Sequence, residues 1–208
     1  MSTEKTYPID AAFAAQANVN AEQYDEMYQR SVNDPEDFWA EQASSYLTWF
    51  KPWDKTLDWS FKEDLHIDWF KGGKLNASYN CLDRHLAERG DQVAIIWESD
   101  DPNEHRKITY AELHAEVSKF ANVLKDRGVK KGDRVSIYMP MIPEAAVAML
   151  ACTRIGAMHS VVFGGFSPDA LRDRIQDSDC QIVITADQSV RGGKRVPLKS
   201  NADKAMAN

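Results

Sequence analysis

The sequence predicts an α/β protein: a helical, aromatic-rich amino-terminal arm over residues 1–90, then, over 91–208, the first part of a mostly parallel sheet flanked by helices. Three observations carry this expectation. From Val93 onward, short β-branched runs and amphipathic segments follow in the order β, β, α, β, α, β, α, β. Alternation of this kind implies parallel strands joined by right-handed helical crossovers. Two glycine pairs, Gly164-Gly165 and Gly192-Gly193, stand just past two of the β-rich runs. Trp39, Trp49, Trp53, Trp59 and Trp69, all but one of the 6 tryptophans, crowd into a stretch without sustained helical or strand period.

Taken in order, residues 1–18 have weak periodicity and read as an extended lead-in. Residues 21–31 suit a helix with Tyr24, Met27 and Tyr28 on one side. Asp34-Pro35-Glu36-Asp37 reads as a helix start, with an Asp cap, proline at the first position and acids suited to the positive dipole end. Phe38, Trp39 and Ala43 form that helix's apolar face. The aromatic stretch 46–70 reads as an irregular arm anchored by ring packing. An aromatic ligand-binding or nucleic-acid stacking surface is the alternative. The interleaved Asp54, Asp58, Glu63, Asp64 and Asp68 weigh against that alternative, because they would repel phosphates.

Asn76 caps a helix expected to run to about Arg89, with Leu82 and Leu86 inward. Val93–Trp97 and Lys107–Thr109 read as strands around a charged turn. Thr109 and Glu112 form a capping box. Leu113, Val117, Phe120, Ala121 and Leu124 then recur at helical spacing. Val135–Met139 is the next strand, and a helix starts at Pro143 and ends at Gly156. An apolar run to Phe163 ends in Gly164-Gly165, with Ser167 as N-cap and Pro168 as first helical residue. Ile182–Thr185 is the last long strand, and the basic segment RGGKR follows.

Hydrophobic content of 43% and charged content of 27% describe an ordinary soluble globular chain. The net charge of −7 argues against nucleic acid or an anionic membrane as main partner, so any anion site must be a local cluster. Cys81, Cys152 and Cys180 form no CxxC and read as buried, reduced thiols of a cytoplasmic protein. The start MSTEKTYPID lacks the apolar core of a signal peptide. The most apolar stretch, 145–163, contains Arg154, Gly156 and His159 and reads as buried helix plus strand.

Both glycine pairs have two readings. Gly164-Gly165 either permits a tight strand-to-helix turn or lets backbone approach a ligand at a helix start. Arg191, Gly192, Gly193 and Lys194 form either a solvated turn or a segment that wraps an anion, for which arginine's planar fork is suited. Both pairs follow strands at the carboxyl end of a parallel sheet, where open α/β sheets bind ligands, so a phosphorylated small molecule is the class of ligand suggested. Gly72-Gly73-Lys74 lacks the spacing of a phosphate loop and reads as a turn. The histidines show no metal-ligand or triad spacing, and no GxSxG occurs. No catalytic residue and no metal ligand is assigned within the chain.

VVFGGFSPDALRDRI and ITADQSVRGGK resemble the amino-terminal part of acetyl-CoA synthetases, which are acyl-adenylate-forming enzymes. The resemblance extends back through DPEDFWAEQA, LTWFKPWD, DWFKGGKLNASYNCLDRHL and GVKKGDRVSIYMPMIPEAAVAMLACTRIGA, and it covers nearly the whole chain from about Val19. It implies an amino-terminal fragment of such an enzyme, holding the start of its large AMP-binding domain. It also implies that Phe163, Gly164 and Gly165 lie against the nucleotide end of coenzyme A. By the same resemblance, Arg191, Gly192, Gly193 and Lys194 contact coenzyme A with the arginine near its 3′-phosphate, and Val196 lies near the adenine.

The resemblance further implies acetate, ATP and coenzyme A as small-molecule partners, magnesium accompanying ATP, and the remainder of the same polypeptide as the other partner. The Ser/Thr/Gly-rich phosphate loop, the acidic ATP motif and the adenylation lysine of that family do not occur in this sequence. The expectation is therefore that the chain alone is inactive. Propionate as the acid, or a non-catalytic nucleotide-binding module, remain as alternatives at this point.

Overall fold

The computed structural model describes residues 7–62 and 64–207. The first part of the lead-in, the acid at Glu63 and the terminal Asn208 lie outside the described residues. The chain forms two compact units that divide between Lys74 and Leu75.

The first unit opens with helices α1 (Ala11–Ala15) and α2 (Ala21–Asn33). The Asn20 side chain accepts from the Gln23 N–H, and the Gln23 side chain accepts from the Asn20 N–H, so α2 starts in a reciprocal cap. Helix α3 (Pro35–Tyr46) begins at Pro35 as the sequence suggests, although Asp34 makes no side-chain cap bond. Phe38 and Ala43 are buried, while Trp39 on the same side stays partly open.

The stretch expected to be irregular is instead an antiparallel hairpin, β1 (Lys55–Ser60) with β2 (His66–Lys71). Its pairs Leu57↔Trp69 and Trp59↔Ile67 put apolar side chains on one face, and Asp58↔Asp68 falls on the other. Each strand is too short for its alternation to amount to a sustained period in the sequence, and Asp58 at a polar position is neutralised from both strands. Lys55 and Lys71 both reach Asp58, at 2.8 and 2.6 Å. Their hydrogen bonds, Lys55 first, hold the Asp58 carboxyl well below the usual carboxylate range. Near the end of β2, Phe70 packs with both the Trp49 and Trp53 rings at centroid distances of 5.4 and 5.0 Å, and those two rings touch each other at 4.8 Å. The Phe70 backbone has φ +53°, a conformation a bulky residue adopts only when its surroundings hold it there.

The second unit starts with α4 (Ala77–Cys81), capped by the Asn76 side chain on the Tyr79 N–H. The expected single helix to Arg89 is broken: a 3-10 turn over Asp83–His85 precedes α5 (Leu86–Arg89). The break lies at Leu82, whose backbone leaves helical values (φ −123°, ψ −69°) while its side chain is fully buried. The break also brings Asp83 to Arg154, whose guanidinium donates to both carboxylate oxygens at 2.7 and 2.8 Å.

Strands β3 (Val93–Glu98) and β4 (His105–Thr109) pair antiparallel in a sheet of their own. The expectation of parallel strands from Val93 onward fails here, because the short 99–104 connection can only double back. Helix α6 (Tyr110–Asp126) starts in the expected Thr109/Glu112 box and buries Leu113, Val117, Ala121 and Leu124. Strand β5 (Arg134–Tyr138), helix α7 (Pro143–Ile155), strand β6 (Met158–Val161), helix α8 (Pro168–Asp177) and strand β7 (Ile182–Thr185) follow. The three strands form a parallel sheet ordered β6-β5-β7. The chain then makes a small hairpin, β8 (Ser189–Arg191) with β9 (Lys194–Val196), and ends in α9 (Leu198–Met206).

This parallel sheet has a core on each face. Val135, Ile182 and Ile184 pack with Leu113, Val117, Val147 and Ala151 of α6 and α7. Tyr138 and Val183 pack with Leu171, Leu198 and Ala202 of α8 and α9. Alternate β7 residues thus serve opposite layers, as a strand covered on both sides requires. The fold class is α/β, with a three-stranded parallel part. Its strands end level, Ile137 beside Val161 and Tyr138 beside Thr185, so the segments that follow them emerge at one end of the sheet.

Candidate functional site

The chain runs from central β5 to one neighbour and then across to the other, and ligands of open α/β sheets lie at the carboxyl ends of strands where the order reverses. Both glycine segments emerge at that end. The turn after β6 runs through Phe163, Gly164, Gly165 and Phe166 into α8, where Ser167 Oγ accepts from the Ala170 N–H at 3.3 Å. Ser167 is therefore engaged as a cap.

The turn is fastened from below by a residue the sequence reading left unassigned. Tyr138, the last residue of β5, is fully buried, and its hydroxyl donates toward the Phe166 carbonyl at 2.8 Å, with the Gly164 carbonyl at 3.3 Å. The same hydroxyl accepts from Asn201 Nδ2 of α9 at 3.3 Å. Both glycines keep φ outside the left-handed region, so space is the constraint. A Cβ on Gly165 would fall 2.5 Å from the Phe163 ring.

The basic segment is a two-residue hairpin turn, more ordered than the loop the sequence suggested. Gly192 and Gly193 have φ +55° and +72°, positive at both central positions as the tight hairpin turn that fits strand twist demands. Their N–H groups donate to the two carboxylate oxygens of Asp100 at 3.2 and 2.9 Å. These bonds, that from Gly193 first, hold the Asp100 carboxyl below its ordinary value.

The two segments meet side chain to side chain. The Arg191 guanidinium lies over the Phe163 ring, 5.3 Å from its centroid, and Phe166 stands edge-on to the same ring at 5.8 Å. Phe163 remains 51% exposed, so its outer side is open to a ligand. Arg191, Lys194 and Arg195 are exposed and form no ion pair among the described residues. Val196 is partly buried against the Tyr138 and Leu198 layer. Of the expected site residues, Phe163, Gly164, Gly165, Arg191, Gly192, Gly193 and Lys194 thus gather at one end of the sheet, and Val196 stands just behind them. Together they offer an aromatic face, two cations without an ion-pair partner among the described residues and an unhindered approach, which suits a phosphorylated aromatic ligand.

Other titratable clusters have structural partners. Asp58, His66 and Asp68 lie close enough to share an ion, but the two lysines on Asp58 already supply the positive charge. His114 Nε2 faces Asp83 at 3.2 Å beside Arg154, which ties α6 to α7 and the segment before it. Cys152 and Cys180 are buried as expected, whereas Cys81 is exposed because it ends α4 on the outer side; burial pushes the Cys152 thiol up to about 11. Gly73 donates to the Phe70 carbonyl at 3.0 Å, a turn at the hairpin base.

An α/β chain whose parallel strands deliver two glycine segments to one anion-suited edge is the class of protein in view. Residues 82–207 match the family model described as AMP-binding enzyme, and residues 24–81 match that described as acetyl-coenzyme A synthetase N-terminus. The chain belongs to the AMP-binding enzyme family. It is 65% identical over 207 residues to the acetyl-coenzyme A synthetase of Magnetococcus marinus, covering 100% of this chain and 32% of that protein. It is 62% identical to the acetyl-coenzyme A synthetase of Alkalilimnicola ehrlichii (99% of this chain, 32% of that protein) and 61% identical to acetyl-coenzyme A synthetase 2 of Pseudomonas putida (98% and 31%). The chain spans about a third of the length of these relatives. Among the described residues, no helix is long and apolar enough to cross a membrane.

Proposed function

We propose that this chain is the amino-terminal third of an acetate–CoA ligase and supplies the surface that receives the phosphorylated nucleotide end of coenzyme A. In the proposed reaction acetate displaces pyrophosphate from ATP to give acetyl-AMP, and the thiol of coenzyme A then takes the acetyl group with release of AMP. Magnesium would enter with ATP, and the residues that hold either belong to motifs this sequence does not contain. The organisation that goes with this reading is an arm, taken from sequence as 1–90, ahead of the first part of the large domain, 91–208. The compartment that goes with it is the cytoplasm, in keeping with the free thiols of Cys81, Cys152 and Cys180.

The observation that carries the reading is the Arg191–Phe163 pairing. A ring face with one open side can stack an adenine, and a guanidinium beside it can hold a phosphate bidentately. Lys194 adds a second cation, Gly164 and Gly165 keep the approach clear, and Val196, two residues on, would lend an aliphatic contact to the adenine. Nothing here performs the adenylation chemistry, whose electrostatic stabilisation is usually the largest catalytic contribution.

The test is acetate-dependent exchange of pyrophosphate into ATP. The full-length protein should show it and go on to form acetyl-CoA, with acetate preferred to propionate by kcat/KM. The 208-residue chain should show no exchange above a no-enzyme control. Exchange by the short chain, or a full-length protein that forms no acyl-CoA, would overturn the proposal.

A further inference from the structure

We infer that Asp100 is a positioning residue for coenzyme A: its carboxylate latches the tip of the basic hairpin and so sets Arg191 over Phe163. The inference rests on the proposed coenzyme A reading for its kinetic consequence, but not for the latch itself.

Two successive amides in a left-handed turn make a small concavity suited to an anion. At Gly192-Gly193 an anion from the protein itself already fills it, since each N–H donates to a different oxygen of Asp100. The partner comes from 92 residues earlier in the chain. It is also presented from a closed base. In the β3–β4 connection the Ser99 N–H donates to the Glu104 carbonyl at 2.9 Å, and the Glu104 N–H donates to the Asp101 carbonyl at 3.0 Å. The Asn103 N–H donates to the Asp101 carboxylate at 2.9 Å. A tied loop therefore grips an otherwise thinly supported hairpin tip.

Arg191 is the residue immediately before Gly192, so fixing the turn fixes the start of its side chain. Its guanidinium has no carboxylate of its own among the described residues, and the Phe163 ring is its near neighbour. The roles therefore divide. The amides of Gly192 and Gly193 hold Asp100, while the side chains of Arg191 and Lys194 remain free for the phosphate. The opposite arrangement predicts the opposite result: if a phosphate had to displace Asp100 from the amides, removing the carboxylate would tighten binding.

The experiment uses full-length Asp100→Ala and Asp100→Asn. Asp100→Ala should raise the KM for coenzyme A by roughly 3- to 10-fold, part of what two charge-assisted hydrogen bonds can give. Its preference for coenzyme A over dephospho-coenzyme A should fall, and kcat should change little. Asp100→Asn, which keeps one acceptor oxygen, should lie between. An unchanged or lowered KM would overturn the positioning role. The latch is read separately, without coenzyme A, by the rate of tryptic cleavage after Arg191 and Lys194, expected to rise about tenfold in Asp100→Ala. Unchanged cleavage would overturn the latch even if coenzyme A binds as proposed. Faster cleavage with no change in KM would keep the latch and remove its link to coenzyme A. If Arg191→Ala also left that KM unchanged, the coenzyme A reading would be the part at fault.

Discussion

The two glycine pairs look alike in sequence, Phe-Gly-Gly-Phe and Arg-Gly-Gly-Lys, yet the structure uses them for different reasons. Gly164-Gly165 sits in ordinary backbone, and Gly165 is small because the Phe163 ring lies over it. Gly192-Gly193 has open space around it and is glycine because both residues take positive φ. The first turn is fastened from inside the protein by a buried hydroxyl, the second from outside by an exposed carboxylate. A buried fastening is part of the core, and its loss is felt by the whole unit. An exposed one can be lost with little change in stability and still move the side chain it controls.

That contrast can be broken in order of expected effect. Tyr138→Ala empties a fully buried site and should lower the stability of the second unit by about 3–5 kcal/mol, read from the denaturant midpoint. Tyr138→Phe keeps the ring and removes only the hydroxyl, leaving the Phe166 carbonyl and Asn201 unsatisfied, so about 1–3 kcal/mol is expected. If Tyr138→Phe were neutral, the hydroxyl would not be the fastening.

Next come the glycines. Gly193→Ala meets nothing within 4 Å, so only the left-handed backbone penalises it, by about 1 kcal/mol. Gly165→Ala has no such penalty. It should displace the Phe163 ring from Arg191 and raise the KM for coenzyme A with little change in midpoint. Equal effects of the two substitutions on stability and KM would erase the distinction drawn above.

The smallest effect concerns acid. Asp83 is held below its ordinary value near 3.8, first by its hydrogen bonds from Arg154. A depressed folded value means this pair stabilises fully above the ordinary carboxylate range and loses its contribution as pH falls through the lower folded value. Asp83→Asn should flatten the stability profile across that acid window. A profile that keeps its slope would assign the loss to other carboxylates.

Much of this was legible in the sequence wherever the determinants are local. The Thr109/Glu112 box, Ser167-Pro168 and Pro143 each announce themselves within four residues. The two glycine segments were recognisable as a pair from their places after β-rich runs, while the role of each residue toward coenzyme A rests on the resemblance of long phrases to a known family. What stayed hidden depends on distant partners. The β1–β2 hairpin has no clear local signal because Asp58 needs Lys71, across the pairing, as well as Lys55 to make its strand acceptable. The helix from Asn76 was drawn too long because Leu82 breaks it to reach a core assembled from α6 and α7. Tyr138 passed as one more apolar strand residue, and Asp100 as one more acid in a charged turn. Neither has a local signal, since the groups they hold lie 26 and 92 residues away.

The central claim, that the joined glycine segments hold the 3′-phosphate end of coenzyme A through Arg191, is tested most directly by Arg191→Ala in the full-length protein, assayed with coenzyme A and with dephospho-coenzyme A. Loss of a charge-assisted hydrogen bond costs about 1.5–3 kcal/mol, so the KM for coenzyme A should rise roughly 10- to 150-fold. The wild type should discriminate against dephospho-coenzyme A, and the variant should not. Acetate-dependent pyrophosphate exchange, which precedes the thiol, should stay near the wild-type rate. A variant that still prefers coenzyme A as strongly as the wild type does would contradict the claim and leave the hairpin a solvated turn.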